Sequence, residues 1–205
     1  MKNLNNIRLP KVFEAIVRDS KAIKFDMPSE VDVNALLRTL VAVKPAGHCL
    51  ELGTGTGLAS AWLLDGLGVQ GKLTTVDNEQ KWLKVAQKHL GKDPRLEIIC
   101  ADGDDFLLQA NEQPTRYDLI FADTWSGKYQ LLDLALNLLA PGGMYVIDDM
   151  LPQANWPEGH EIKVKSLMDE LGQHPELQVC SLPWSCGVVI ASKIFSSVGN
   201  NNNIS

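Results

Sequence analysis

Three glycines alternate with threonines in Gly53-Thr54-Gly55-Thr56-Gly57, directly after the apolar run Cys49-Leu50-Glu51-Leu52. A short buried strand that breaks into a glycine turn and then a helix is how α/β proteins build a nucleotide-type pocket. The turn lets backbone approach a ligand closely. The spacing is G-x-G-x-G, not the G-x-G-x-x-G of the dinucleotide fingerprint. Glu51 stands two positions before the first glycine. A carboxylate at the mouth of the turn repels a pyrophosphate and attracts an ammonium group. One strand later, Asp77-Asn78 is placed to accept both hydroxyls of a ribose, or to cap the next helix. One strand later again, Asp102-Gly103 is placed to accept an adenine amino group, or to cap its own helix.

A second constellation follows. Asp123 ends the apolar run Leu119–Ala122, and Asp148-Asp149 ends Met144–Ile147. Two carboxylates roughly 4 Å apart repel by about 4 kcal/mol at an effective dielectric of ~20. Three of them at neighbouring strand ends need a cation, a proton or a basic neighbour. All-oxygen ligation suits Mg²⁺ or Ca²⁺ rather than zinc, and a bound cation makes a hydroxyl more acidic. Alternatively Asp148 and Asp149 cap a loop while Asp123 contacts cofactor or water. Lys128 and His160 are the candidates to take a proton from a hydroxyl. Trp125 and Trp156 offer an aromatic wall for a planar substrate or for adenine, or simply pack their loops. Trp62 and Trp82 lie in helical segments and read as helix–sheet contacts.

These residues need a scaffold that brings strand ends together. The periodicity predicts strands at His48–Leu52, Leu73–Asp77, Leu96–Cys100, Leu119–Asp123, Met144–Asp148, Leu177–Ser181 and Val188–Ser192. It predicts helices at Leu58–Leu67, Glu79–Leu90, Asp104–Gln109, Tyr129–Leu139 and Ile162–Leu171. Ahead of them lies a helical N-terminal segment (1–47) with Val12, Phe13, Ile16 and Val17 on one face. Ser29 with Asp32 resembles a capping box that starts a helix carrying Leu36, Leu37 and Leu40. Strand–helix alternation implies an α/β fold with a mostly parallel, doubly wound sheet covered on both faces. Leu182–Gly187 is too short for a helical crossover, so the last two strands pair antiparallel. Residues 1–195 read as one domain and 196–205, with its asparagine run, as a disordered tail.

The chain has 205 residues, 45% apolar and 21% charged, with a formal net charge of -6. That balance suits one soluble domain and disfavours a broad nucleic-acid or membrane-surface footprint. No signal peptide or membrane span is legible, so a cytoplasmic location is expected. Cys49, Cys100, Cys180 and Cys186 lack metal-ligand spacing and read as buried thiols.

A cofactor with an ammonium, a ribose and an adenine but no phosphate matches S-adenosylmethionine (SAM). The series Glu51, Gly53, Gly55, Gly57, Asp77, Asp102 resembles the class I SAM-dependent methyltransferases over about Ser29–Lys193. That resemblance implies a Rossmann-like seven-stranded sheet with an antiparallel last strand. The segments around Asp123 and Asp148-Asp149 look like the catechol-type branch of bacterial O-methyltransferases. For that branch the resemblance implies that Asp123, Asp148 and Asp149 hold a divalent cation such as Mg²⁺ against the hydroxyls of a small-molecule acceptor. It also implies a cover over the cofactor from Lys21–Ser29, touching it through Phe25 and Met27, and pairing as a homodimer. The branch carries a lysine base three residues after the first aspartate. Here that position is Ser126. Three other readings use the same residues: metal-independent methylation of N, S or carboxylate oxygen, a non-catalytic SAM-binding module, and a nicotinamide oxidoreductase. The glycine spacing and Glu51 disfavour the last.

Overall fold

The computed structural model describes residues 7–153 and 156–194. The expected tail at 196–205 lies outside them. Two helices come first, α1 (Phe13–Ala22) and α2 (Val31–Ala42). There follow β1 (His48–Leu52), α3 (Leu58–Gly66), β2 (Lys72–Asp77), α4 (Gln80–Leu90), β3 (Leu96–Cys100) and α5 (Gly103–Asn111). The chain continues through β4 (Tyr117–Ala122), α6 (Leu132–Asn137), β5 (Leu139–Ile147), α7 (His160–Gln173), β6 (Leu177–Leu182) and β7 (Val188–Lys193). The strands form a seven-stranded sheet in the order β3-β2-β1-β4-β5-β7-β6. β7 runs antiparallel to both β5 and β6, and the other pairs are parallel. This is the doubly wound α/β architecture that the alternation implied.

Side chains alternate across the sheet and sort into two apolar layers. Leu50 and Leu52 of β1, Ile120 of β4 and Tyr145 and Ile147 of β5 join Leu107, Leu136 and Leu167 from α5, α6 and α7. On the other face, Cys49, Leu119, Phe121 and Val146 join Ile16, Leu37, Leu63 and Val85 from α1 to α4. Strand order reverses between β1 and β4, where Leu52 pairs with Ala122. The chain leaves those two residues toward opposite sides, and a crevice opens beyond their carboxyl ends. Among the described residues, no helix is long and apolar enough to cross a membrane.

Four expectations are corrected. The helix foreseen at Tyr129–Leu139 begins only at Leu132. Gly127 at φ 77° and Leu131 at φ 53° break it, and the N–H groups of Lys128, Tyr129 and Gln130 all donate to the Trp125 carbonyl in a tight turn. Ser29 is not a cap: α2 starts at Glu30 with no side-chain cap bond, and the Ser29 hydroxyl donates instead to Asp123 at 2.9 Å. Cys100 and Cys180 are exposed, because each points outward from a strand at the edge of the sheet. Trp82 is no core residue; it lines the crevice and meets Phe25 edge-on at 5.1 Å.

Gly57 opens α3 at φ 86°, and a Cβ there would fall 2.8 Å from the Ala86 Cβ of α4. Gly57→Ala combines left-handed strain with overpacking. We expect it to lower the unfolding free energy by about 3 kcal/mol, read from the urea midpoint.

Candidate active site

A cavity of about 580 Å³ runs along the crevice. One end is the glycine turn. Gly53 and Thr54 N–H groups both donate to the Val76 carbonyl, pinning the turn to β2. Gly55 has φ 51°, and a Cβ on it would meet the Phe25 ring at 2.8 Å. Phe25 therefore packs over the turn, and Phe25 and Met27 both line the cavity. Asp77 Oδ2 accepts the Gly55 N–H at 2.8 Å and Oδ1 accepts the Glu79 N–H at 2.8 Å. Asp102 Oδ1 caps α5 through the N–H groups of Asp104 and Asp105, at 2.9 and 3.3 Å. Both alternatives weighed for these aspartates are thus compatible: each caps backbone, and each lines the cavity with Asn78, Gly103, Gly53 and Thr54. A carboxylate offers about four lone-pair sites, enough for both tasks.

Two expected cofactor contacts are displaced. Gly57 packs on α4 and is absent from the cavity wall. Glu51 does not stand at the mouth of the turn. It is fully buried, and pleating sends it to the same face as Cys49, toward α3. There its Oε2 accepts the Ser60 hydroxyl and, at 2.5 Å, the Thr75 hydroxyl. Thr75 also meets Thr54 at 2.6 Å, so the network reaches the turn from behind. Burial pushes the Glu51 carboxyl up to about 7, against the pull of its two hydroxyl donors.

The other end of the cavity gathers Asp123, Trp125, Lys128, Tyr129, Asp148, Asp149, Trp156 and His160. Asp123 follows β4, and Asp148-Asp149 follows β5, its register partner. Burial, then the charge of Asp148, holds the Asp123 carboxyl well above its usual range, opposed by Ser29. Burial pushes Asp148 up to about 6. Its Oδ1 accepts the Cys186 thiol at 2.7 Å and the Asp149 N–H at 2.8 Å. Asp149 itself sits at φ 56°, a left-handed conformation that aspartate tolerates better than most residues. Lys128 is 6% exposed, and its Nζ donates to the Asp148 carbonyl at 2.5 Å. Burial lowers its pKa, while Asp123, Asp149 and Asp148 pull it back up.

His160 opens α7 and is buried among aromatic rings. Trp156, Tyr129 and Trp125 lie 4.6, 5.1 and 5.9 Å from its ring. Its Nε2 is 3.1 Å from the Tyr129 hydroxyl, and its Nδ1 is buried with no partner among the described residues. Burial pushes the imidazole below its usual value, with help from Lys128 and Lys163. An imidazole held below its usual pKa, beside a hydroxyl and in one recess with three carboxylates, can receive a proton.

Comparison with known proteins bears on this geometry. The family model described as O-methyltransferase matches residues 8–194. The chain belongs to the O-methyltransferase family. A Mycobacterium leprae (strain Br4923) protein named for the same family is 36% identical over 95 residues. That match spans 44% of this chain and 42% of the relative, so the chain covers less than half of the relative's length. The fold matches the Bacillus cereus O-methyltransferase in complex with SAH, with TM-score 0.81 at 20% identity over 92% of this chain and 93% of that one. It also matches the O-methyltransferase TomG from Streptomyces achromogenes in complex with SAM, with TM-score 0.80 at 20% identity over 93% and 92% of the two chains.

The divalent cation implied by the resemblance does not fit this site while Lys128 occupies it, because that ammonium already stands among the carboxylates that would hold the ion. Among the described residues, the ligand atoms within 4.8 Å of one another belong to Asp148, Asp149 and Cys186, not to the three aspartates. The Cys186 thiol, pushed by burial up to about 12, keeps its proton and spends it on Asp148. Asp123 Oδ2 instead accepts the Ser29 hydroxyl at 2.9 Å. Ser29, Tyr129 and Cys186 are site residues that the sequence reading missed. Only Tyr129 carried a signal, as an aromatic next to a candidate base.

Folding places a proton on Glu51 that the unfolded chain releases above pH 4.5. The folded pKa is the higher one, so this contribution is fully present below 4.5 and is lost as pH rises toward about 7. The corresponding cost is about 3 kcal/mol. Asp148, raised to about 6, acts in the same direction. Glu51→Gln is expected to flatten part of the fall in melting temperature across this window and to be more stable than wild type above pH 7.

Proposed function

We propose that the chain transfers the methyl group of SAM to a hydroxyl of a small planar aromatic molecule. The observation that carries this reading is one continuous cavity with a glycine turn and two aspartates at one end and an acidic, aromatic-walled recess at the other. Family membership supports the reaction class.

In this reading the turn at Gly53–Gly55 takes the amino-acid end of SAM. Asp77 receives the ribose hydroxyls and Asp102 the adenine amino group. Phe25 and Met27 close over the cofactor. The acceptor lies between Trp125, Tyr129 and Trp156, with its hydroxyl toward Asp123 and Lys128. Trp125 is 44% exposed, as a wall residue awaiting a planar ligand would be. Methyl transfer is an in-line displacement, so the protein must hold the oxygen on axis, exclude water and remove a proton. Tyr129 accepts the hydroxyl proton as its own passes to His160 Nε2. The acceptor oxygen attacks the sulfonium methyl, the C–S bond breaks, and its electron pair stays on sulfur. The products are a methyl ether, S-adenosylhomocysteine and an imidazolium that loses its proton to solvent.

The test incubates EDTA-treated enzyme with SAM and a panel of phenols, catechols and aliphatic alcohols, reading S-adenosylhomocysteine release and methylated product by mass spectrometry. Turnover with aromatic hydroxyls is expected. SAM binding with no turnover on any hydroxylated aromatic would overturn the reading. Tyr129→Phe and His160→Gln are each expected to lower kcat by ~10²-fold with unchanged SAM affinity. Because the two act as one relay, the double variant should lose little more than either single one.

A further inference from the structure

Among the described residues that line the cavity, Lys128 is the one lysine or arginine. An ammonium has three donors. Among the described residues, the one hydrogen bond that Lys128 Nζ makes is to the Asp148 carbonyl. The remaining donors belong to a side chain that is 6% exposed and forms part of the cavity wall. Nζ also lies 5.2 Å from the centre of the Tyr129 ring, on the acceptor side. The charged groups that face it are Asp123, Asp148 and Asp149, with the Cys186 thiol behind. A buried ammonium with unfilled donors, beside three carboxylates and an aromatic recess, is built to receive one more oxygen.

We propose that the Lys128 ammonium occupies the role of a bound divalent ion: it balances the three aspartates and binds the acceptor oxygen directly as that oxygen loses its proton. This rests on the acceptor half of the function proposed above. It adds a specificity. A divalent ion grips two adjacent oxygens, whereas one ammonium needs a single oxygen. The acceptor class is therefore a mono-hydroxylated aromatic, with no advantage for a vicinal diol. The turn Trp125–Gln130 makes this possible, because the three N–H groups converging on the Trp125 carbonyl fix the backbone from which Lys128 projects.

The test has two independent arms. In the first, Mn²⁺ is titrated into the EDTA-treated protein and followed by electron paramagnetic resonance, with SAM binding by calorimetry as the check of folding. Wild type is expected to bind no stoichiometric Mn²⁺ in the millimolar range. Lys128→Met, which keeps the length and removes the charge, is expected to bind one equivalent, and adding Asp148→Asn should abolish it. Stoichiometric Mn²⁺ binding by wild type, or none by a Lys128→Met protein that still binds SAM, would overturn the proposal. This arm needs no turnover, so it stands apart from the fate of the methyl-transfer reading. In the second arm, phenol and catechol acceptors are compared in EDTA. Equal kcat/KM within about threefold is expected. Lys128→Met should lower kcat/KM by ~10²-fold and move the acid limb of the pH–rate profile to higher pH, as expected when an oxyanion loses its cation. Lys128→Arg should restore the wild-type limb. A strict requirement for a vicinal diol together with added metal would overturn the proposal.

Discussion

Leu52 and Ala122 are register partners on adjacent parallel strands, and the chain departs from them in opposite directions. Everything chemical in this molecule depends on that parting. The turn after β1 goes one way into α3, and the segment after β4 goes the other way toward α6. Between them the sheet has no crossover to cover its carboxyl edge. The Asp123 N–H still donates to the Leu52 carbonyl at 2.9 Å, so the two strand ends stay stitched together at the base of the gap. A Cβ on Gly53 would fall 2.7 Å from the Asp123 carbonyl oxygen. The glycine turn and Asp123 are therefore separated by little more than one backbone, which under the proposed function is the proximity that a methyl donor and its acceptor need.

That proximity carries an electrostatic cost. Asp123 and Asp148 are both drawn out of water, and burial raises both carboxyl groups. Each is offset locally by a different hydroxyl or thiol: Ser29 from the N-terminal cover for Asp123, and Cys186 from the β6–β7 connection for Asp148. Segments far apart in sequence thus meet at the acids, and the cover is coupled to the site through a hydrogen bond and not through apolar contact alone. The Ser29 hydroxyl is engaged by Asp123, and the N-cap of α2 is Glu30, which makes no side-chain cap bond.

The legible part of the sequence was the part governed by periodicity and by backbone. Strand and helix positions followed from alternation, and the glycine turn from residues that accept positive φ. Asp77, Asp102, Asp123, Asp148 and Asp149 were singled out because carboxyl ends of parallel strands are where ligands gather, and all five line the cavity. Two kinds of feature were hidden. One was the direction of a single side chain within a correctly placed strand. Glu51 lies where it was expected in sequence, yet the pleat turns it toward Ser60 and away from the cavity. The other was loop geometry. Nothing in Trp125–Leu131 announces that Gly127 and Leu131 adopt left-handed conformations, and the helix drawn through Tyr129 followed from its apolar spacing alone. Cys186 was hidden for a third reason: its partner, Asp148, comes from a distant segment of the chain, and one thiol among four carries no spacing signal.

The loop geometry also explains how a lysine at position 128 comes to lie beside the acids. Gly103, at the start of α5, has no side chain, and a Cβ there would lie 2.6 Å from Ser126. Position 126 therefore packs against the first turn of α5, beside Gly103. Two residues on, past a Gly127 whose carbonyl is held by the buried Tyr145 hydroxyl, the backbone has turned toward β5, and Lys128 reaches the Asp148 carbonyl. A shorter side chain at 128 would not reach the Asp148 carbonyl. The positive charge is thus placed by the turn, and the identity of the residues on either side follows from where that turn points.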